Sequence, residues 1–476
     1  MRSDELRKYG EGVLQRDPSR VASAEILDLM AYLVECDFVG AEAKLATIKY
    51  KFRDSKEQLY VNEGTSLARA HINFAFGRFD DLEESAKLFL EKHEQDTALE
   101  KGEYLDILRL LAQKSLLLDD YERLEKIYQD MSAYQPEDLA TNQLYLCNSI
   151  YAMVLMARGE ANKANQVASQ NIEIAKQNNY LGLMAPMDSM FVLSRTLLAF
   201  SRKEDALKII FELKKMTEKY RHWPWYFMAD GSISQEYAVS NRISEALAIV
   251  REQREKITAF TFPNNLSYMA DANELFIRFV LRDQERIETL ISRLPELNIV
   301  KQVRPFKDEW SGKEILPFIE KLPERNARER IYKYTALAGY YHDKESIAID
   351  YMLRVLPIIE ETGFIEYVLR QFELFDVIQK AIIKKPTPFL EDLASKITER
   401  IRINALNNQV GMPVPLTTRE LEVVRQLATG KPISNISNTL HVSMNTMKTH
   451  LRNIYRKLDV DGRDTAVEKA KELFLI

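Results

Sequence analysis

The chain has 476 residues, a formal net charge of −5, and 46% hydrophobic and 29% charged residues. This length exceeds what one hydrophobic core usually supports, and this composition excludes a largely disordered protein. Only 15 glycines and 15 prolines are present, too few for the turns of an all-β protein of this size, so we expect an all-α fold.

The first residues and the two cysteines indicate where the protein works. Residues 1–20 lack the apolar segment of a signal peptide, and no run of about 18 apolar residues would span a bilayer. Cys36 and Cys147 are too few for a disulfide framework and lack the spacing of a metal site. We therefore expect a cytoplasmic protein with two reduced core thiols, no metal and no membrane contact.

Residues 1 to about 385 carry a helical periodicity that recurs about every forty residues. One apolar helix face stops and another begins at Cys36, Gly77, Asp119, Gly159, Ser201, Asn241 and Arg282, at intervals of 41, 42, 40, 42, 40 and 41. The residue five positions later is small or apolar each time: Ala41, Leu82, Leu124, Ala164, Ala206, Ala246 and Ile287. The pattern predicts tight turns between antiparallel helices, with the later residue packing where the two helices approach.

This pattern resembles tetratricopeptide-like repeats, although its units are longer than 34 residues. An eighth unit is expected at His342 and Ile347, so the segment 303–318 interrupts the array. The resemblance implies a superhelical array of hairpins with a concave surface for a peptide, protein or small-molecule effector, which the sequence does not identify. Two sets of residues fit either core packing or that surface: Trp223, Trp225, Tyr226 and Phe227, and Met184, Met187 and Met190.

Motifs of several enzyme classes are missing from the sequence. It contains no GxxxxGK[ST], no GxGxxG after a strand, no HExxH and no GxSxG. The six histidines show no metal-ligand spacing. We therefore expect no catalytic residues, no cofactor and no metal ligands, although an active site assembled from distant residues would leave no such motif.

The last sixty residues predict a separate module. A helix expected over 389–406 is followed by Gly411, Pro413 and Pro415, which interrupt helices and indicate a linker over 407–415. The predicted domains are thus 1–406 and 416–476. From residue 416 onward ten Lys/Arg against seven Asp/Glu give +3, which leaves −8 for the rest, so only this end is expected to meet a polyanion.

Helix start and stop signals divide this module. Thr417 and Glu420 fit a capping box for a first helix, which Gly430 ends. Its core face is expected to comprise Leu421, Val424, Leu427 and Ala428. A second helix runs to about Leu440, and Ser443 can cap a third helix.

The third predicted helix has two contrasting faces. Its core stripe is expected to contain Met447, Leu451, Ile454 and Leu458. The opposite side carries Asn445, Lys448, Thr449, Arg452 and Arg456, and the span 443–458 contains no Asp or Glu. A short helix, a tight turn and a cationic helix have the layout of a helix-turn-helix module, whose second helix enters the major groove of DNA. A cationic helix on the solvated face of a small bundle is the alternative.

Residues 416–467 closely resemble the LuxR-type DNA-binding domain. Nineteen positions carry the resemblance: Leu416, Thr417, Arg419, Glu420, Glu422, Val423, Gly430, Ile436, Leu440, Ser443, Thr446, Lys448, His450, Ile454, Lys457, Leu458, Val460, Arg463 and Ala466. The sequence departs from the family pattern at Pro432, Asn435, Ser437 and Met447.

The resemblance and the helix geometry together imply roles for the residues of the third helix. Lys448, Thr449 and Arg452 match the face that reads base edges in double-stranded DNA. Contacts with phosphate are expected from Thr446, Asn453, Arg456 and Lys457. Ser443 and Asn445 complete the expected DNA-facing set.

Two further implications of the resemblance concern His450 and the last helix. His450 is expected to be a packed family residue rather than a base reader. The final helix, from about 464 to 474, resembles the segment that pairs two copies in this family, and it is equally suited to completing the module's core.

The two regions together are similar to the C-terminal half of the MalT-like regulators. The nucleotide-binding half of those regulators is not found in this sequence, so ATP-driven assembly is not expected to carry over. The sequence therefore predicts a sequence-specific transcriptional regulator whose helical array senses an effector and controls presentation or pairing of the DNA reader. The alternative is a peptide- or protein-binding interaction protein with weak, nonspecific DNA affinity.

Overall fold

A computed structural model describes residues 3–95, 101–134, 139–180, 186–240, 242–281, 283–293, 316–371, 374–409, 418–440, 442–458 and 460–472. Within these residues the regular elements are α-helices and no strand occurs, which confirms the all-α prediction. None of the helices in the described part of the chain is long and apolar enough to cross a membrane.

Sixteen helices are described before residue 294, and tight turns join most of them in pairs. Among the described residues they are α1 (Ser3–Arg16), α2 (Val21–Val34), α3 (Phe38–Phe52), α4 (Gln58–Gly64), α5 (Ser66–Ala75), α6 (Phe79–Gln95), α7 (Lys101–Leu117), α8 (Tyr121–Met131), α9 (Thr141–Arg158), α10 (Ala161–Gln177), α11 (Met187–Ala199), α12 (Lys203–Lys219), α13 (Trp223–Val239), α14 (Ile243–Thr258), α15 (Ser267–Leu281) and α16 (Gln284–Ile291).

Two further groups of helices follow. The first comprises α17 (Leu316–Lys321), α18 (Ala327–Tyr340), α19 (Glu345–Thr362), α20 (Ile365–Leu369), α21 (Phe375–Lys384) and α22 (Pro388–Gln409). The second comprises α23 (Thr418–Ala428), α24 (Ile433–Thr439), α25 (Met444–Leu458) and α26 (Arg463–Glu472). The first three residues of the predicted linker are thus helical, and 410–415 lie outside the described residues.

The predicted repeat is confirmed by the backbone of its turns. Five of the six predicted turn residues that the structure describes, all except His342 of the eighth unit, have a left-handed φ of 55° to 79°: Cys36, Gly77, Asp119, Gly159 and Ser201. A residue in this conformation ends one helix and lets the chain reverse direction in a short turn. Asn241 and Arg282 lie outside the described residues.

The packing positions of the repeat are confirmed as well. The residues five positions after the turns are at most 3% exposed: Ala41, Leu82, Leu124, Ala164, Ala206, Ala246 and Ile287. The predicted register of the eighth unit is wrong, because Ile347 is 38% exposed and Ala348 is buried in its place. The turn at 341–344 is longer than the others, which moves the packing position by one residue.

The chain separates into two compact units that are discontinuous in sequence. The first contains residues 1–229, 262–266 and 297–386, and the second contains residues 230–261, 267–296 and 387–476. The predicted boundary at 406–416 does not coincide with this division.

The first unit contains contacts between repeats that are far apart in sequence. The backbone N–H of Asn265 donates to the carbonyl of Gly77 at 2.8 Å, and the Asn265 side chain accepts from the N–H of Phe79 at 2.9 Å. Farther along, the Arg328 guanidinium donates to the Tyr121 hydroxyl at 2.8 Å and to the Met156 carbonyl at 2.7 Å. The array is therefore not a stack in which each repeat contacts its immediate neighbours alone.

Helix α7 is buried on all sides over most of its length. Every residue from Leu105 to Leu117 on α7 is buried, including Arg109, which pairs with Asp106 at 3.0 Å and with Asp188 at 3.1 Å. Burial raises the pKa of Asp106, but the charges of His71 and Arg109 outweigh it and bring that pKa below its usual value. The expected open concave surface is thus absent along α7.

The alternatives left open for the aromatic and methionine clusters are decided in favour of core packing. Trp225, Tyr226 and Phe227 are at most 6% exposed, and Trp223 packs against the core of the first repeats. Met187 and Met190 are buried, whereas Met184 lies outside the described residues. Cys36 and Cys147 are buried, and within the described residues neither forms a disulfide.

Candidate nucleic-acid interface

The last four helices enclose a small apolar core of their own. Its members are Val423, Val424, Leu427, Ile436, Met447, Ile454, Leu458, Ala466 and Ala470, with Leu451 packed against them. The stripe predicted for α25 is therefore confirmed. On α23 the prediction of Ala428 as a core residue is wrong: it is exposed and Val423 is buried instead. Leu416 and Thr417, with the expected capping box, lie outside the described residues.

Two arginines of the family pattern donate hydrogen bonds to backbone carbonyls at the ends of these helices. Arg463, at the start of α26, donates to the carbonyl of Leu427 at 2.6 and 3.2 Å. Arg419 on α23 donates to the carbonyl of Leu440, which follows α24. Gly430 reverses the chain after α23 with a φ of +74°. Both arginines bond to backbone carbonyls within the module, which separates them from the cations of α25 that face solvent.

The start of α25 is fixed by the expected cap. The Ser443 hydroxyl accepts from the backbone N–H of Thr446 at 3.1 Å and lies 2.8 Å from the Thr446 hydroxyl. Both residues are exposed. Ser443 therefore satisfies a free N–H at the N-terminus of the helix, and Thr446 is held beside it.

The outer face of α25 carries an exposed cationic surface, which we call the cationic face: Asn445, Lys448, Thr449, Arg452 and Arg456. Within the described residues no carboxylate lies within ion-pair distance of the three cations of this set. The Thr449 hydroxyl donates back to the Asn445 carbonyl at 3.1 Å. The structure thus brings the three predicted base readers together on one solvent-facing stripe.

Three of the residues singled out on α25 have other surroundings. Lys457 is 12% exposed, and its ammonium donates to the Glu420 carboxylate at 2.6 Å. Asn453 and His450 are both half-buried. Lys457 is therefore engaged inside the module, unlike its neighbour Arg456, because α23 supplies a carboxylate at this position.

Two features of the module escaped sequence reasoning. The Lys457–Glu420 pair joins residues 37 apart, and Glu420 had been assigned to a helix cap. Met444, at the first turn of α25, is 42% exposed, and its sulfur lies 3.3 Å from the Ser437 hydroxyl. Ser437 is one of the departures from the family pattern, and the polar residue at this buried position is accommodated by a bond from its hydroxyl to the Ser434 carbonyl at 2.8 Å.

Comparison with known proteins agrees with this geometry. Residues 414–470 match the family described as bacterial regulatory proteins, luxR family. The transcriptional regulatory protein LiaR of Bacillus subtilis (strain 168) is 36% identical over 130 residues, which cover 26% of this chain and 58% of that protein. The HTH-type transcriptional regulator MalT of Yersinia pestis (strain Pestoides F) is 44% identical over 59 residues, or 12% of this chain and 6% of that protein.

The chain spans a limited part of each relative, from 58% of LiaR down to 6% of MalT. The family match spans the helices α23, α24 and α25 and most of α26. Residues 414–470 are a DNA-binding domain of the LuxR family of bacterial regulatory proteins.

Proposed function

We propose that this chain is a sequence-specific transcriptional regulator in which the C-terminal domain reads double-stranded DNA and the helical array receives the regulatory input. The observation that carries the proposal is the cationic face of α25, which is exposed and backed by a packed core. Arg and Lys side chains at such a face fit the O6 and N7 acceptors of guanine in the major groove.

The proposed roles follow the surroundings of each residue. Lys448, Thr449 and Arg452 read base edges, and Arg456 neutralises a phosphate. Thr446 and Asn445 lie at the N-terminal end of the same surface, where a helix N-terminus favours phosphate oxygens. Lys457 and Ser443 support the helix from inside and at its cap, so we assign both a positioning role rather than direct contact.

The regulatory input is proposed to come from a peptide, a partner protein or a small molecule bound to the array. Because α7 is buried along its length, the effector is expected on the outer surfaces of the repeats rather than along that inner helix. Binding would alter how the reader is presented, or how two copies pair on DNA through α26.

The experiment begins with selection of bound duplexes from a randomised DNA pool by the full chain. Anisotropy titration on the selected site then compares the wild type with the double variant Lys448→Ala, Arg452→Ala. We expect an affinity loss of roughly 30-fold or more, because each base-edge contact contributes about 1–3 kcal/mol. Circular dichroism should be unchanged, since both side chains are exposed.

Lys431→Ala is the matched control, because it removes an exposed cation from the same domain but away from α25. It should change the affinity little. Unchanged affinity of the double variant would contradict the proposal. Failure of the pool selection to enrich any sequence would favour the interaction protein with nonspecific DNA affinity.

A further inference from the structure

The turn between α15 and α16 meets the first helix of the DNA-binding domain within the second compact unit. Arg425 on α23 donates to Oδ1 of Asp283 at 3.2 Å, across 142 residues of sequence. Next to it, Leu281 packs against the core of the DNA-binding domain and also against the apolar cluster of α13, α14 and α15. Leu281 and the Arg425–Asp283 ion pair thus connect the array with the DNA-binding domain.

Asp283 keeps partners on the array that do not depend on the reader. Its Oδ2 accepts from Arg278 at 3.2 Å, and its Oδ1 accepts from the backbone N–H of Arg286 as the N-cap of α16. Its side chain is 3% exposed, whereas that of Arg425 is 32% exposed. Withdrawal of Arg425 would therefore leave the Asp283 carboxylate paired, so the large cost of stranding a buried charge does not oppose it.

The rest of this charge cluster is also complete without the reader. Glu274 accepts from Arg278 and Arg286 and from Arg254 on α14, at 2.8 to 3.2 Å. Three array carboxylates, those of Asp271, Glu274 and Asp283, face three array arginines. Arg425 is an added fourth cation, and its ion pair joins the buried Asp283 carboxylate to a partly exposed guanidinium that salt can screen.

The cationic face is accessible while this contact is made. Lys448, Arg452 and Arg456 are exposed even though Arg425 and Leu281 hold the domain against the α15–α16 turn. The contact lies on α23, and the cationic face lies on α25. Contact of the DNA-binding domain with the array therefore leaves the cationic face exposed.

We propose that the α15–α16 turn is a releasable docking site for the DNA-binding domain, with the Arg425–Asp283 ion pair as its latch and Leu281 as its apolar contact. The docked domain has one orientation with its cationic face open, and opening of the latch frees it. The regulatory meaning of this release rests on the proposed function, but the docking itself does not.

Distances between two spin labels in the full chain test the proposal. Glu252→Cys on α14 and Asn438→Cys on α24 place labels at exposed positions on the array and the reader, and both native cysteines are buried. The wild-type background should give one narrow distance distribution. Arg425→Glu places a like charge beside Asp283 and should broaden the distribution, as should about 1 M salt, which screens the pair.

Two variants serve as controls. Arg425→Lys keeps the cation and should retain the narrow distribution, and Lys431→Glu makes the same charge change at an exposed position of the reader and should also retain it. A broad distribution in the wild type, or a narrow one in Arg425→Glu, would overturn the proposal.

DNA affinity separates this proposal from the proposed function. The Arg425→Glu variant should bind the selected DNA site with an affinity within about threefold of the wild type, because the cationic face is already exposed in the docked state. An affinity loss of tenfold or more would show that docking is needed to form the DNA-binding surface. That result would overturn the proposal. If Lys448→Ala, Arg452→Ala retains full DNA affinity while the distances behave as described, the proposed function fails and the docking site stands.

Discussion

Arg456 and Lys457 are adjacent cations on α25 with opposite surroundings. Arg456 is exposed on the cationic face, whereas Lys457 turns inward to the buried carboxylate of Glu420. The sequence pattern predicts the same role, contact with phosphate, for both residues, since both are basic and lie at the end of a basic helix. The position of α23 makes the difference: it places Glu420 beside Lys457, whereas Arg456 stays exposed and available to a phosphate.

Replacement of Lys457 is expected to destabilise the DNA-binding domain. Lys457→Ala removes the ammonium that pairs with the buried Glu420 carboxylate, which costs about 3 kcal/mol. Hydrogen exchange of α23 and α25 in the full chain would measure the loss of protection. Arg456→Ala is the comparison: it should leave exchange unchanged and reduce the salt dependence of DNA binding by about 0.9 in the log–log slope. Equal exchange in both variants would refute the assignment of Lys457.

Glu274 predicts a pH dependence of stability. Burial raises its pKa, but Arg286, Arg278 and Arg254 outweigh burial and lower it from 4.5 to about 2. Because the folded value lies below the unfolded value, this carboxylate contributes stability that is present above about pH 4.5 and is lost as the pH falls towards 2.

Glu274→Gln should therefore lower the free energy of unfolding at pH 7 by about 2–3 kcal/mol, and the difference should shrink between pH 4.5 and pH 3. Urea unfolding followed by circular dichroism at several pH values measures it. Glu252→Gln, at an exposed position, should show no such convergence. A gap for Glu274→Gln that stays constant down to pH 3 would show that the carboxylate is not held by these arginines.

At the scale of the helical hairpin, the turn residues predict substitutions of opposite sign. Ser201 adopts a φ of +60°, which costs an L-residue about 1 kcal/mol, so Ser201→Gly should stabilise the fold by up to that amount. Gly159 has a φ of +79°, and a Cβ there would lie 3.0 Å from the Arg328 backbone. Gly159→Ala should therefore destabilise the fold by about 1–3 kcal/mol. Thermal unfolding of the two variants should bracket the wild type; shifts of the same sign would contradict the repeat geometry.

The hairpins were largely predictable from sequence because each one has the same kind of tight turn and the same close approach of two helices. A left-handed residue and a small or apolar residue five positions later recur at nearly constant spacing, and both leave a pattern in the chain. The eighth unit failed by one position because its turn is longer, and a turn length leaves no periodic trace. On α23, Val423 and Ala428 are both apolar, so the pattern alone could not tell which one faces the core.

At the scale of the whole molecule, the contacts that sequence reasoning missed join residues far apart in the chain. Asn265 meets Gly77 and Phe79, Arg328 meets Tyr121, and Arg425 meets Asp283. Each contact uses a residue type that is common on helix surfaces, so the sequence pattern does not indicate which distant residue it will contact. The expectation of an open concave surface was wrong along α7 for the same reason, because its polar residues pair with one another in the interior.

The central claim is that the cationic face of α25 lies in the major groove, and protection of guanine N7 from methylation by dimethyl sulfate tests it most directly. On the selected site, the wild-type chain should protect specific guanines, and Lys448→Ala, Arg452→Ala should lose that protection, because these side chains are proposed to occupy N7 and O6. Retention of DNA by the wild type without protection of any guanine in the site, or equal protection by the double variant, would contradict the account.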